Sequence, residues 1–267
     1  MRRRLRDCDA PQILYDYYSG MGVRNLSQKY HVSKVTMYRY LRDKTEKVYS
    51  TINRLFKDSR IGNIQLNFGS IWEADEKIIP VDIRKWYASG FPIYSVKRKK
   101  SRMVGQIIIE NLVDTRTHFV LASEPLLNMS GDEIARAWIL AKERTGRWPA
   151  IIRCDKAYAH VYAFKEYLSG HLRIKILPKK GEASQVHLVE GYHRVMDRKL
   201  ESGIHGGSTW LIHGVWLHYN FVERKESLGD RTPFEIAVNN KMLVDNGWEF
   251  LFNLVNMQRR FLIARRI

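Results

Sequence analysis

Two hydrophobic textures divide the chain. Over residues 1–60 apolar side chains recur at three- and four-residue intervals with few β-branched runs, which is the helical period. From Ile71 onward, short apolar runs alternate with helical stretches. The first part predicts a helix over 11–19, with Ile13, Leu14, Tyr17 and Tyr18 apolar, broken by Gly20 and Gly22. A second helix runs from Asn25, a good N-cap, through Tyr30. A third, capped by Ser33, covers 34 to 43 or 44, and a connecting helix covers 45–59. The second part predicts strands over 71–81, 103–113 and 118–123, then a helix over 131–144 ended by Gly146 and Pro149. A strand over 150–154, a helix over 157–168, a strand over 172–177 and a long helix over 182–202 follow. Further helices fill 208–226 and 234–265. The order β-β-β-α-β-α-β-α predicts a mixed α/β fold with helices flanking one sheet.

Composition narrows the partners. The 267 residues are 45% hydrophobic and 12% aromatic, enough to bury a core, so disorder is excluded. Lys and Arg number 45 against 28 Asp and Glu, a net +17, which points to a polyanion and above all to nucleic acid. No apolar window approaches the ~18 residues of a membrane span, and the basic start leads into no apolar signal segment. Cys8 and Cys154 are the only cysteines, which excludes a disulfide scaffold and a thiolate zinc cluster. A cytoplasmic, nucleoid-associated location is expected, and a metal here would be a hard ion held by carboxylates.

Residues 26–41 follow helix-turn-helix logic. Leu26, Tyr30, Val32, Val35 and Leu41 can pack two short helices on the first, leaving Ser33, Lys34, Thr36, Met37 and Arg39 outward. A helix of that width fits the major groove of DNA. Residues 1–60 carry 14 basic and 6 acidic side chains, a local +8 that favours DNA binding over a plain three-helix bundle.

Three carboxylates carry the candidate chemistry. Asp75 lies in the first strand, within Trp72-Glu73-Ala74-Asp75-Glu76. Asp155 follows Ile151-Ile152-Arg153-Cys154, at the carboxyl end of a buried strand, where open α/β sheets place ligands. The same position also suits a helix cap. In the long helix Glu190, Arg194, Asp197 and Glu201 form one narrow polar stripe. Val186, Val189, Met196 and Leu200 flank it, with Leu188, Tyr192 and Val195 further round, so the stripe should face a site rather than bulk water. Carboxylates held rigidly from separate elements can bridge two divalent ions, the arrangement that serves phosphodiester chemistry.

These strings resemble the DDE transposases of prokaryotic insertion sequences. The matching pieces are Trp72-Glu73-Ala74-Asp75-Glu76, Cys154-Asp155-Lys156-Ala157-Tyr158 and Glu190-Gly191-Tyr192-His193-Arg194, with thirty-four residues between Asp155 and Glu190. His218-Tyr219-Asn220-Phe221 and Leu228-Gly229-Asp230-Arg231-Thr232-Pro233 resemble the common ending of such cores, and the likeness spans about residues 70–237. The resemblance implies an RNase H-like α/β core, with a small all-α helix-turn-helix domain ahead of it. It implies Asp75, Asp155 and Glu190 as catalytic ligands of two Mg²⁺ or Mn²⁺ ions, and His193 and Arg194 positioning the nucleophile or a phosphate. It implies nicking at the element's ends and strand transfer into target DNA by a homodimer or larger assembly. Where many relatives carry a basic residue seven positions after the Glu, this chain has Asp197, with Arg198 next. Residues 84–102 fit the family's second strand poorly. The expected division is a DNA-binding domain over 1–60, the catalytic core over 61–240 and a basic helical extension over 241–267. A catalytically inactive DNA-binding descendant and a structure-specific nuclease of the same fold are the alternatives.

Lys97, Arg98, Lys99, Lys100 and Arg102 form a basic run, readable either as a solvated turn or as a contact to the DNA backbone. His187, His193, His205, His213 and His218 match no zinc spacing. Trp210, Trp216 and Trp248 read as core anchors.

Overall fold

A computed structural model describes residues 5–57, 66–82, 95–99, 102–155, 157–170, 173–176, 186–201, 209–239 and 246–264. The chain forms two compact units, Met1–Ile64 with His213–Ile267, and Gln65–Ile212. The described helices include none long and apolar enough to cross a membrane.

The helical unit begins with α1 (Ala10–Tyr18), α2 (Val23–Lys29) and α3 (Lys34–Lys57). Gly20, at φ +118°, makes the turn out of α1, a conformation that glycine adopts without steric cost. Ser33 caps α3 by accepting from the Thr36 amide at 3.1 Å. The expected break near residue 44 is absent. No glycine or proline interrupts residues 34–57, and Met37, Leu41, Thr45, Val48, Ile52 and Phe56 form one buried stripe at four- and three-residue spacing. That stripe corrects the expected facing of the third helix. Met37 is fully buried and Val35 is 60% exposed, because Leu41 shares a face with the residue four positions before it and not with the one six before. The buried Thr45 hydroxyl is satisfied by that of Tyr18 at 3.1 Å.

The rest of this unit is α7 (Thr209–Phe221, most of whose length belongs here), α8 (Pro233–Ala237) and α9 (Gly247–Ala264). Trp216 meets Tyr49 and Phe56 edge-on, and Trp248 stacks on Tyr18 at 5.4 Å. The expected anchoring role of these tryptophans is thus realised. Their partners lie on α1 and α3, and the chain from His213 groups with those helices. His213 stacks on Tyr49 at 3.5 Å beside Glu46, and His218 accepts from Trp248 Nε1. The segment ending in Thr232-Pro233 closes a capping box, in which Thr232 Oγ1 and the Glu235 carboxylate each accept the other's backbone amide.

The α/β unit comprises β1 (Ile71–Asp82), β2 (Ser95–Lys99), β3 (Arg102–Asp114), β4 (Val120–Leu126), α4 (Gly131–Thr145), β5 (Ile151–Cys154), α5 (Tyr158–Ala163), β6 (Arg173–Ile176) and α6 (His187–Glu201). The described strands form one sheet in the order β2-β3-β1-β5-β6. β2 and β4 share the outer edge of β3, pairing with 102–106 and 108–113. β1 is antiparallel to β3 and parallel to β5, and β6 is parallel to β5. This is the mixed α/β, helix-flanked architecture that was expected. One strand was missed. Ser95–Lys99 pairs with β3 up to Lys99↔Arg102, so the basic run is largely hairpin strand and not a solvated turn. Val96 is the only apolar residue among its five, so period-2 alternation was invisible there. Lys100 lies outside the described residues.

Both faces of the sheet are covered. Asp75 pairs with Asn111, and this face receives α6 through His193. Glu76 pairs with Glu110, and this face receives α4 and α5 through Trp138 and His160. Ile107 through Val113 are accordingly all buried.

Gly214 lies inside α7, where alanine would ordinarily favour the helix by about 1 kcal/mol. An added Cβ there would stand 1.7 Å from the Tyr18 hydroxyl oxygen and 1.9 Å from the ring carbon bearing it. Gly214→Ala is therefore expected to destabilise the chain by about 1–2 kcal/mol, overpacking outweighing helix propensity. Thermal denaturation would read this as a lowered Tm.

Candidate active site

Strand register and helix docking assemble the site. In the parallel β1/β5 pair Glu73 stands opposite Arg153, so Asp75 and Asp155 fall two residues further along adjacent strands. α6 then lies along β1 with matched spacing. Glu73 Oε2 accepts from the Leu188 and Val189 amides at 2.9 and 3.2 Å, His193 Nδ1 stands 3.7 Å from Asp75 Oδ2, and Lys77 Nζ donates to Asp197 Oδ2 at 2.7 Å. Four helical residues rise about 6 Å and two strand residues about 6.8 Å, so the 189/193/197 row stays in step with 73/75/77. Glu73 also neutralises the positive end of α6. Asp197, which takes the place of a basic residue in the resembled family, is occupied by Lys77.

Asp75, Glu76 and Asp155 bring one carboxylate oxygen each within 4.8 Å of one another. Burial first, then the Glu76, Glu110 and Asp155 carboxylates, push Asp75 up to about 7. Burial also raises Glu76, against the pull of His160, whose Nε2 stands 3.5 Å from Oε2; that oxygen is buried with no hydrogen-bond partner among the described residues. Hard oxygen donors, mutual repulsion and an unsatisfied buried oxygen fit a divalent cation such as Mg²⁺ or Mn²⁺. Glu190 is half-buried in the first turn of α6, one residue beyond Val189. It belongs to neither of the two metal-competent clusters found among the described residues.

The second cluster is Glu76, Glu110 and His160. Glu110 is fully buried and accepts from Trp138 Nε1 at 2.8 Å. His160 places Nε2 3.4 Å from Glu110 Oε2 and Nδ1 2.9 Å from Asp155 Oδ1. Carboxylates only accept, so both ring nitrogens carry hydrogen. Burial alone would lower this imidazole, but Glu110, Asp155 and Glu76 together outweigh it and hold it well above its ordinary range. Asp155 Oδ1 accepts the Ala157 amide as well, a bond local to the turn ahead of α5, whose N-cap is Ala157 with no side-chain cap.

His193 differs. Asn111 Oδ1 accepts from Ser123 Oγ, which aims the amide nitrogen at His193 Nε2, 3.1 Å away. The ring proton therefore sits on Nδ1, facing Asp75. Burial and then Lys77 lower His193 to about 4, so it is neutral at physiological pH. Arg194 and Arg198 are exposed on α6. Ser33, Lys34, Thr36 and Arg39 are exposed in the helical unit, and Lys97, Arg98 and Lys99 belong to β2. Glu73, Glu76, Glu110, Asn111 and His160 received no role from the sequence. A carboxylate inside the apolar run 107–113 was the available signal for Glu110.

No family model and no curated protein matches the chain. Among solved structures it is similar to the HTLV-2 integrase catalytic core domain in complex with magnesium (16% identity, TM-score 0.43, 64% of this chain and 97% of that one). It is likewise similar to the BIV integrase catalytic core domain (14%, 0.43, 64% and 95%). A third is the simian T-cell lymphotropic virus intasome in complex with PP2A regulatory subunit B56 gamma (12%, 0.49, 88% and 76%).

The carboxylate cluster makes stability depend on pH. A carboxyl raised in the folded state contributes stability that is complete below its unfolded value near ~4 and lost as pH climbs through the folded value, here about 7 for Asp75. In the absence of divalent ions, Tm should therefore fall between roughly pH 4 and pH 7. Mg²⁺ or Mn²⁺ should restore it at the alkaline end, and Asp75→Asn should flatten the slope. A profile unaffected by both metal and substitution would contradict this electrostatic account.

Proposed function

We propose that this chain is a DDE-type transposase of a prokaryotic insertion sequence, binding terminal inverted repeats and carrying out metal-dependent strand cleavage and strand transfer. The observation that carries this reading is the convergence of Asp75 and Asp155 from adjacent strands beside a helix bearing Glu190. The motif resemblance and the +17 charge support the same substrate. Asp75, Asp155 and Glu190 would hold two Mg²⁺ or Mn²⁺ ions, with Glu76 near enough to Asp75 and Asp155 to share in binding. When bound, such ions lower the pKa of an attacking oxygen and offset charge on the leaving one.

In the first step a water oxygen bonds to the scissile phosphorus, the P–O3′ bond breaks, and the proton leaves the nucleophile as the 3′-oxygen gains one. In the second step that 3′-hydroxyl attacks a target phosphorus and another 3′-hydroxyl departs. Neutral His193 would orient a group beside Asp75, and exposed Arg194 would meet a phosphate oxygen. Ser33, Lys34, Thr36 and Arg39 would read or clamp the repeat in the major groove, while Lys97, Arg98, Lys99, Lys100 and Arg198 neutralise backbone. The resembled family acts as dimers or larger assemblies that bridge two ends, and the same is proposed here, in the cytoplasm at the nucleoid.

Purified full-length chain, incubated with Mg²⁺ or Mn²⁺ and DNA carrying the inverted repeats that flank its coding sequence, should give 3′-hydroxyl nicks and joined products. Asp155→Asn should lower both by about a hundredfold or more. Nicks without joining would instead indicate a structure-specific nuclease. Specific end binding with no product under either metal would indicate a DNA-binding descendant that has lost catalysis.

A further inference from the structure

We propose that His160 is a positioning residue that ties the metal-binding carboxylate of Asp155 to the buried Glu110, fixing the orientation in which Asp155 meets the cation. The inference rests on the metal-dependent reading above. Asp155 stands just past the end of β5, and its side chain is 42% exposed, whereas those of His160 and Glu110 are wholly buried. A half-exposed carboxylate at a strand tip gains little orientation from packing, so its direction must come from directed bonds. Two reach Oδ1, from the Ala157 amide at 2.8 Å and from His160 Nδ1 at 2.9 Å. The first is local to the turn. The second continues through Nε2 to Glu110 Oε2 at 3.4 Å and, from Oε1, to Trp138 Nε1 at 2.8 Å.

This relay joins β3 to the tip of β5, with β1 lying between them in the sheet. It thereby references Asp155 to the strand that pairs with Asp75's own, rather than to the turn alone. The Trp138 and His160 rings are near-parallel, 18° apart with centroids 6.0 Å apart, which restrains the imidazole plane. Groups that orient a metal ligand in this way typically govern affinity as strongly as a weak ligand does.

Mn²⁺ affinity of the full chain, measured by electron paramagnetic resonance of the free ion, tests the relay with two isosteric variants. In His160→Asn the amide nitrogen replaces Nδ1 and keeps the bond to Asp155. In His160→Gln it replaces Nε2 and keeps the bond to Glu110 and the approach to Glu76 Oε2, 3.5 Å in the wild type, but not the bond to Asp155. Both remove the same ring, so any change of local charge is common to them. His160→Gln is expected to weaken Mn²⁺ binding about 10–100-fold, with His160→Asn between it and wild type. Equal affinities in the two variants would overturn the proposal, since a space-filling role would not tell the nitrogens apart. Should His160→Gln fail to fold, Trp138→Phe removes the donor at the far end of the relay. A severalfold loss there supports the proposal, and unchanged affinity overturns it. A wild-type chain that binds no Mn²⁺ at millimolar concentration would instead remove the metal-dependent reading, and this inference with it.

Discussion

Carboxylates carried by the interior of a sheet must each find donors or a cation, because desolvating a charge without compensation costs several kcal/mol. β1 places three of them, Glu73, Asp75 and Glu76, within four residues, and β3 sets Glu110 beside Glu76. The fold answers them unequally. Glu73 receives two amides from the start of α6, and Glu110 receives Trp138 and His160. Asp75, Glu76 and Asp155 crowd together, and His160, 2.9 Å from Asp155 and 3.5 Å from Glu76, is shared among them and Glu110, so acids outnumber cations here. That local deficit is what makes the cluster a site and not merely a polar seam in the core.

The compensated acids are also the ones that build the scaffold. Glu73 sets where α6 begins along β1, and the step-for-step match down to Lys77 and Asp197 keeps His193 at the level of Asp75. Glu110 does the corresponding work on the opposite face, where α4 and α5 dock through Trp138 and His160. Two histidines near one cluster are thereby driven to opposite charge states. His160 sits between carboxylates and is cationic, whereas His193 meets an amide donor and Lys77 and is neutral.

Much of this was legible in the chain. The strands carrying Asp75 and Asp155 announce themselves by apolar runs, and α6 by its narrow polar stripe, since local periodicity reports burial directly. β2 escaped because four of its five residues are polar or charged, so its strand character comes from pairing with β3 rather than from its own pattern. The third helix was cut too early, since no local pattern shows that Thr45, inside its apolar stripe, is satisfied by the Tyr18 hydroxyl. The grouping of the chain from His213 with the N-terminal helices was hidden for a related reason. Trp216 and Trp248 are plainly core residues, but nothing in their neighbours says that the core they join is built by α1 and α3.

By itself the sequence determined most element types, β2 excepted, the basic character of the chain and the presence of acids at a strand interior, a strand tip and a helix. Those properties depend on side-chain chemistry and on spacing along the backbone, both of which are local. The tertiary structure alone decided which acids are neutralised and which are left facing one another. Asp75 and Glu76 are chain neighbours yet belong to opposite faces, and they meet Asp155 and Glu110 only through strand register. Register is set by pairings between residues tens of positions apart, and no local pattern encodes it.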